Sequence, residues 1–132
     1  EGGDKAHSAR EVHFLGFKSN PQSWMAGARM LVHSAKFEGL PTVLIEGLLL
    51  GVPLVATDCP TGPSEILDNG KAGILVPVGD AEAMAEAISK NLTDAALRQR
   101  LLDHARAHCV NFTKASVKKQ LDVMFAEIPK SF

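Results

Sequence analysis

Four short apolar runs punctuate the first part of the chain: Val12 to Phe17, Met30 to His33, Pro53 to Thr57 and Gly73 to Val76. Each is bounded by Gly, Pro or polar residues. Each is also nearly continuous in hydrophobicity, the pattern of a strand covered on both faces. Between the first three lie segments with helix-opening chemistry. Asn20 is placed to cap one helix and Pro21 to occupy its first turn, while Pro41 opens another that runs through Val43, Leu44, Ile45, Leu48 and Leu49; proline loses no needed donor there. Strands alternating with helices predict βαβ units and a parallel sheet, hence a layered α/β domain. From Asp80 onward the pattern becomes helical only. Asp80 is a candidate cap for a helix over Ala81 to Asn91, Thr93 or Asp94 for one reaching His108, and Thr113 for a last helix ending near Ala126. Amphipathic packing of this tail would place Met84, Ile88, Leu97, Leu101, Val117, Leu121 and Phe125 inward.

Composition narrows the partners more than it narrows the fold. The 132 residues, 45% hydrophobic and 22% charged, suit one globular domain with a single core. Fourteen basic against fifteen acidic side chains leave a formal charge of −1, which gives no electrostatic grip on nucleic acid. A small neutral or anionic ligand remains open. Cys59 and Cys109 lie far apart without CxxC spacing, so neither a zinc site nor a disulfide framework is expected, and a reducing, cytoplasmic setting fits. No apolar stretch approaches the roughly 20 residues that a spanning helix needs. The opening Glu1-Gly2-Gly3-Asp4 reads like a loop entered in mid-protein, so the chain is expected to be a fragment of something longer.

In a parallel sheet, ligands bind beyond the carboxyl ends of the strands, which directs attention to the loops after His33 and Thr57. The first runs Ser34-Ala35-Lys36-Phe37-Glu38-Gly39-Leu40-Pro41-Thr42 into the apolar helix. Gly39 allows close backbone approach, and the N–H groups of Thr42, Val43 and Leu44 at the positive helix end form an anion site suited to phosphate. An ordinary strand-to-helix turn has the same residues. The helix itself is apolar on every face except at Glu46, so it should be buried and that carboxylate should need partners. Two vicinal ribose hydroxyls would serve, as would a local Arg or backbone amide.

Glu38 and Glu46 stand in a Glu-x7-Glu relation, and the run Phe37-Glu38-Gly39-Leu40-Pro41-Thr42-Val43-Leu44-Ile45-Glu46-Gly47, followed by Gly51-Val52-Pro53-Leu54-Val55-Ala56-Thr57-Asp58, resembles the signature of the retaining GT-B glycosyltransferases of family 4. Phe14-Leu15-Gly16-Phe17 before it agree with that pattern, as do Gly73-Ile74-Leu75-Val76-Pro77 and Gly79-Asp80 after it. The resemblance extends from about Val12 to Phe125. It implies a Rossmann-like parallel sheet between helices, the C-terminal half of a GT-B fold, with residues 1–132 forming a single donor-binding domain. By position, Glu38 would be catalytic at the donor sugar, Glu46 would hold the ribose, and the backbone of Gly39, Leu40, Pro41, Thr42 and Val43 would cradle the diphosphate. Phe17 and Lys18 fall where family members meet the nucleobase. Transfer from a UDP- or GDP-sugar to a glycan or lipid-linked acceptor would retain configuration and need neither metal nor redox cofactor.

The loop from Asp58 to Glu65 resembles that of bacterial enzymes building lipid-linked or lipopolysaccharide glycans, which implies peripheral association with the inner face of the cytoplasmic membrane. Ser64 and Glu65 either approach the donor or cap a helix. The family's diphosphate-binding Arg and Lys would lie upstream of Glu1, together with the acceptor domain, so this chain alone is expected to bind donor weakly and transfer nothing. Lys36 is expected to face solvent instead of replacing them. His104 and His108, at i, i+4 with Cys109 adjacent, have metal-compatible spacing but no zincin glutamate, and are read as a solvated helix face. His13 and His33 are read as sheet residues, and Trp24 and Met25 as packing residues. Two other readings share the architecture: a freestanding nucleotide-binding or interaction domain, and half of a nucleotide-sugar epimerase or glycan phosphorylase.

Overall fold

The structure, a computed structural model, describes residues 12–126. Three parallel strands, β1 (Leu31–His33), β2 (Leu54–Thr57) and β3 (Ile74–Val76), lie in the order β1-β2-β3. Leu31 pairs with Leu54 and Val55 with Ile74. The helices are α1 (Pro21–Ala26), α2 (Thr42–Leu50), α3 (Pro63–Ile66), α4 (Ala81–Thr93), α5 (Ala95–His108) and α6 (Lys114–Ala126), with a 3₁₀ turn at Cys109–Phe112 before α6.

The central strand explains the layering. Successive side chains of a strand point to opposite faces, and all four residues of β2 are buried. Leu54 and Ala56 join Leu44 and Leu48 of α2, Ile66 of α3 and Ala105 of α5 in one core. Val55 faces the other way, against Val76 of β3 and Ala87 of α4. The sheet is therefore covered on both sides, as its unbroken hydrophobicity predicts.

Helix α2 owes its position to a glycine. A Cβ on Gly47 would stand 2.7 Å from Leu54 Cδ2 and 3.1 Å from Leu31 Cδ2, so only glycine lets the helix lie this close to β1 and β2. The helix ends at Gly51, whose φ of +69° places it in the left-handed region and whose N–H closes onto the carbonyls of Gly47 and Leu48. Burial all round does not occur: Leu44, Gly47 and Leu48 are buried, whereas Leu49 and Leu50 are exposed.

Local capping sets the later boundaries. Asp80 accepts the Ala83 N–H and Asp94 the Leu97 N–H, each at 2.8 Å, and Thr113 Oγ1 accepts the Ser116 N–H at 3.3 Å. Helix α4 runs two residues past the expected Asn91.

Two expectations are overturned. Residues 12–17 form no strand; Phe14 and Phe17 are 96% and 95% exposed, Gly16 turns the backbone at φ +62°, and no strand pairs with the segment among the described residues. The tail is also less buried than its pattern implies. Leu101 is buried and Met84, Ile88 and Leu97 half-buried, but Val117 and Leu121 of α6 are exposed. Among the described residues, helix α6 packs chiefly on the 3₁₀ turn. The Phe125 side chain lies outside the described residues.

Candidate functional site

Parallel strands end on one side, so the loops after His33, Thr57 and Val76 meet at a common edge of the sheet. The loop 34–41 is held there by the loop after β2. Thr57 Oγ1 donates to the Ala35 carbonyl, and Thr61 Oγ1 donates to the Glu38 carbonyl. Gly62, at φ +95°, packs against Pro41 so tightly that a Cβ would overlap the proline ring. Pro41 is buried as a result, while Gly39, Leu40 and Thr42 stay exposed and Val43 is half-buried. Gly39 itself faces open space. Gly39 thus stays open on its outer side, while Gly62 makes the close contact that holds the two loops together.

The amino end of α2 begins at Thr42 and carries no side-chain cap. Helix geometry leaves the N–H groups of Thr42 and Val43 without intrahelical partners. Leu44 differs from the expectation: its N–H closes a turn onto the Pro41 carbonyl at 3.0 Å and is not free for an anion.

The two glutamates engage different neighbours. Glu38 accepts from or pairs with His33 Nε2 at 3.0 Å through Oε1, with side chains 31% and 13% exposed respectively. Glu46 is half-buried and accepts the Gln22 side-chain amide of α1 at 3.1 Å. Neither carboxylate is sealed in the core. A local partner for Glu46 does exist, an amide rather than the Arg considered from sequence.

An open groove of about 770 Å³ lies beside the motif, lined by Lys36 and Phe37 from the first loop, Asp58 and Pro60 from the second, and residues 75–78. Lys36 also borders a smaller hollow of about 260 Å³ with Thr57 and Asp80. It is exposed at the rim of both. Ser64 does not cap α3; its hydroxyl donates to Asp58 Oδ1 across the loop, and Glu65 is exposed in the first turn. Phe17 and Lys18 are exposed in irregular backbone, so the strand that was to aim them is not formed.

The structure brings three further residues to this edge: His33, read from sequence only as a sheet residue, and Thr61 and Gly62, which had been given no role of their own. A Thr-Gly-Pro run after a buried strand was the available signal for the last two. His13 lies in exposed irregular chain, Trp24 is half exposed, and Met25 is buried.

Away from this edge, His104 is partly exposed, as expected of a solvated helix face, and is paired as well. Its Nε2 lies 2.7 Å from Asp68 Oδ2, and its ring stacks on that of His108, which meets Phe112 edge-on at 5.3 Å between centroids. Hydrogen bonding from His104, aided by Lys71, holds the Asp68 carboxyl below its ordinary value. No metal-binding cluster of His, Cys, Asp and Glu occurs among the described residues. Both cysteines are free. No described helix is long and apolar enough to cross a membrane.

The loop-and-helix motif and the parallel sheet agree with what comparison finds. The family model described as glycosyl transferases group 1 matches residues 3–94. The chain belongs to this family. An exopolysaccharide phosphotransferase of Streptomyces coelicolor is 36% identical over 107 residues, covering 81% of this glycosyl transferase chain and 11% of the relative. The N-acetylgalactosamine-N,N'-diacetylbacillosaminyl-diphospho-undecaprenol 4-alpha-N-acetylgalactosaminyltransferase of Campylobacter jejuni is 30% identical over 109 residues, 83% of this chain and 30% of the relative. The lipopolysaccharide core biosynthesis glycosyltransferase LpsE of Rhizobium meliloti is 34% identical over 92 residues, 70% and 27% respectively. The chain thus spans less than a third of the length of these relatives. Among solved structures, Anabaena HepE in complex with UDP superposes with a TM-score of 0.81 at 24% identity, covering 91% of this chain and 33% of that one. TarM does so at 0.73 and 24%, covering 86% and 23%. The Rossmann-like sheet between helices, with its helical C-terminal stretch, is the architecture of GT-B glycosyltransferases.

Proposed function

We propose that residues 1–132 form the donor-binding domain of a two-domain, family 4 glycosyl transferase. The complete protein would move a hexosyl group from a nucleoside-diphosphate sugar to a glycan or lipid-linked acceptor with retention of configuration. In that reaction the bond from the anomeric carbon to the diphosphate breaks, a bond to the acceptor oxygen forms on the same face, and the acceptor hydroxyl gives up its proton.

One observation carries this reading. At the carboxyl edge of the sheet, the loop containing Glu38 is braced from below by Thr61 and Gly62 and delivers the uncapped end of α2 to solvent. The N–H groups of Thr42 and Val43, with the exposed backbone of Gly39 and Leu40 and the fixed turn at Pro41, present partial positive charge to diphosphate oxygens. Glu38 precedes this end and would meet the sugar; Glu46 lies one turn inside and would exchange its Gln22 amide for ribose hydroxyls. Phe17 and Lys18 would meet the nucleobase once ordered against it.

Developing charge on the leaving diphosphate is met by the helix end and protein donors, so the mechanism asks for no metal or redox cofactor. Support for a uridine nucleotide comes from HepE, solved with UDP and with UDP-glucose, while GDP-sugars remain a second donor class. The Campylobacter relative acts on an undecaprenol diphosphate by its name, which supports a lipid-linked acceptor and work at the inner face of the cytoplasmic membrane.

The test is an amide NMR titration of the chain with UDP and GDP at millimolar concentration. Shifts should move at Gly39, Leu40, Thr42 and Val43, and Glu46→Ala should abolish the response. Unmoved shifts at those residues would remove the site.

A further inference from the structure

His33 is the last residue of β1, and its imidazole is nearly closed off from solvent. One ring nitrogen, Nε2, reaches Glu38 Oε1 at 3.0 Å; the other, Nδ1, is buried and has no hydrogen-bond partner among the described residues. These two facts together select a tautomer of the neutral ring. With its hydrogen on Nδ1, the ring would bury an unpaired donor and turn a bare Nε2 lone pair toward a carboxylate. With its hydrogen on Nε2, it donates to Glu38 and leaves only a lone pair unmatched.

Glu38 is then held twice. Its backbone carbonyl is fixed by Thr61 and one side-chain oxygen by His33, while Oε2 has no hydrogen-bond partner among the described residues. A loop carboxylate would otherwise sample several rotamers. A ring anchored at the end of a sheet strand removes that freedom at one oxygen and leaves the other free to accept.

We infer that His33 is a positioning residue: it ties Glu38 Oε1 to the sheet so that Oε2 accepts a hydroxyl of the donor sugar, without itself touching the nucleotide. This rests on the proposed sugar contact of Glu38. It separates two grips, one on the nucleotide through α2 and Glu46, the other on the sugar through Glu38 as oriented by His33.

Two measurements on the chain test it. Long-range imidazole nitrogen–proton spectra should show His33, identified by its loss in His33→Leu, as the Nε2–H tautomer. UDP-glucose, UDP-N-acetylglucosamine and GDP-mannose are then titrated, each against its own free diphosphate. For the sugar nucleotide that gains most over its diphosphate, His33→Leu should reduce that gain by roughly tenfold, the size of one charge-assisted hydrogen bond, with diphosphate affinity unchanged. His33→Gln, whose amide nitrogen stands near the position of Nε2, should restore most of it. A gain within twofold of wild type in His33→Leu, an Nδ1–H tautomer, or no gain for any sugar overturns the inference while leaving the nucleotide site standing. Failure of the wild-type chain to bind either diphosphate overturns the site and the role of His33 together. Should His33→Leu not fold, the tautomer and the His33→Gln gain decide the matter.

Discussion

Two segments of this chain look alike on paper and end in opposite places. Strand β2 and the run from Val12 to Phe17 are both short, apolar and flanked by turn-forming residues. Every residue of β2 is buried; every residue of the other is exposed. The difference lies in their edges. β2 has β1 on one side and β3 on the other, and helices on both faces, whereas residues 12–17 pair with no described strand. An apolar run is a request for cover, and backbone groups left unpaired cannot be buried to answer it. Helices repeat the lesson: α5 joins the larger core through Ala105, while α6, with similar spacing of apolar residues, packs chiefly on a 3₁₀ turn.

The contrast is sharpest in stability. Leu54→Ala, in the centre of the larger core, should cost about 3 kcal/mol in urea denaturation, and Phe14→Ala less than about 0.5 kcal/mol. Equal costs would show that residues 12–17 are packed and would break the comparison. Next in size is the glycine that joins the two site loops. Gly62→Ala adds a Cβ onto Pro41 at a φ that disfavours side chains and should cost about 2 kcal/mol; amide shifts at Gly39, Leu40, Thr42 and Val43 should move with it. Gly39→Ala, which meets open space, should do much less. Thr61→Val removes the hydroxyl that holds the Glu38 carbonyl, for a loss of about 1 kcal/mol and faster amide exchange in the loop 34–41.

The smallest effect belongs to the partly exposed pair that ties α5 to the turn before β3. Because His104 lowers the folded-state value for Asp68 below the ordinary 3.8, its contribution is present above that pH and disappears as pH falls through the lower folded value. Asp68→Asn should therefore lower the thermal midpoint near neutral pH. The two proteins should converge in acid. A constant difference at every pH would mean that the carboxylate charge plays no part.

Much of the fold was legible because it is written in local chemistry. Asp80 and Asp94 cap where their spacing says they should, Pro21 and Pro41 mark helix starts, and three of four apolar runs become strands. The motif from Glu38 to Glu46 was legible as a pattern too. Its support was not, since Thr61 and Gly62 lie more than twenty residues away and act through contacts no linear pattern encodes. His33 was legible as a sheet residue, but its partner was not: alternation along a strand says which residues share a face, never which carboxylate a loop will bring to the last one.

Sequence alone determined most of the kinds of element, most of their boundaries and the family that the chain resembles. Tertiary structure alone decided which apolar segments are buried, that Leu44 donates to Pro41, that Glu38 answers to His33, and that Gly62 packs against Pro41. Caps and turns are interactions among near neighbours in the chain, so the residues themselves specify them. Burial and pairing join segments that meet only when the chain has folded, so their outcome depends on what each segment finds opposite.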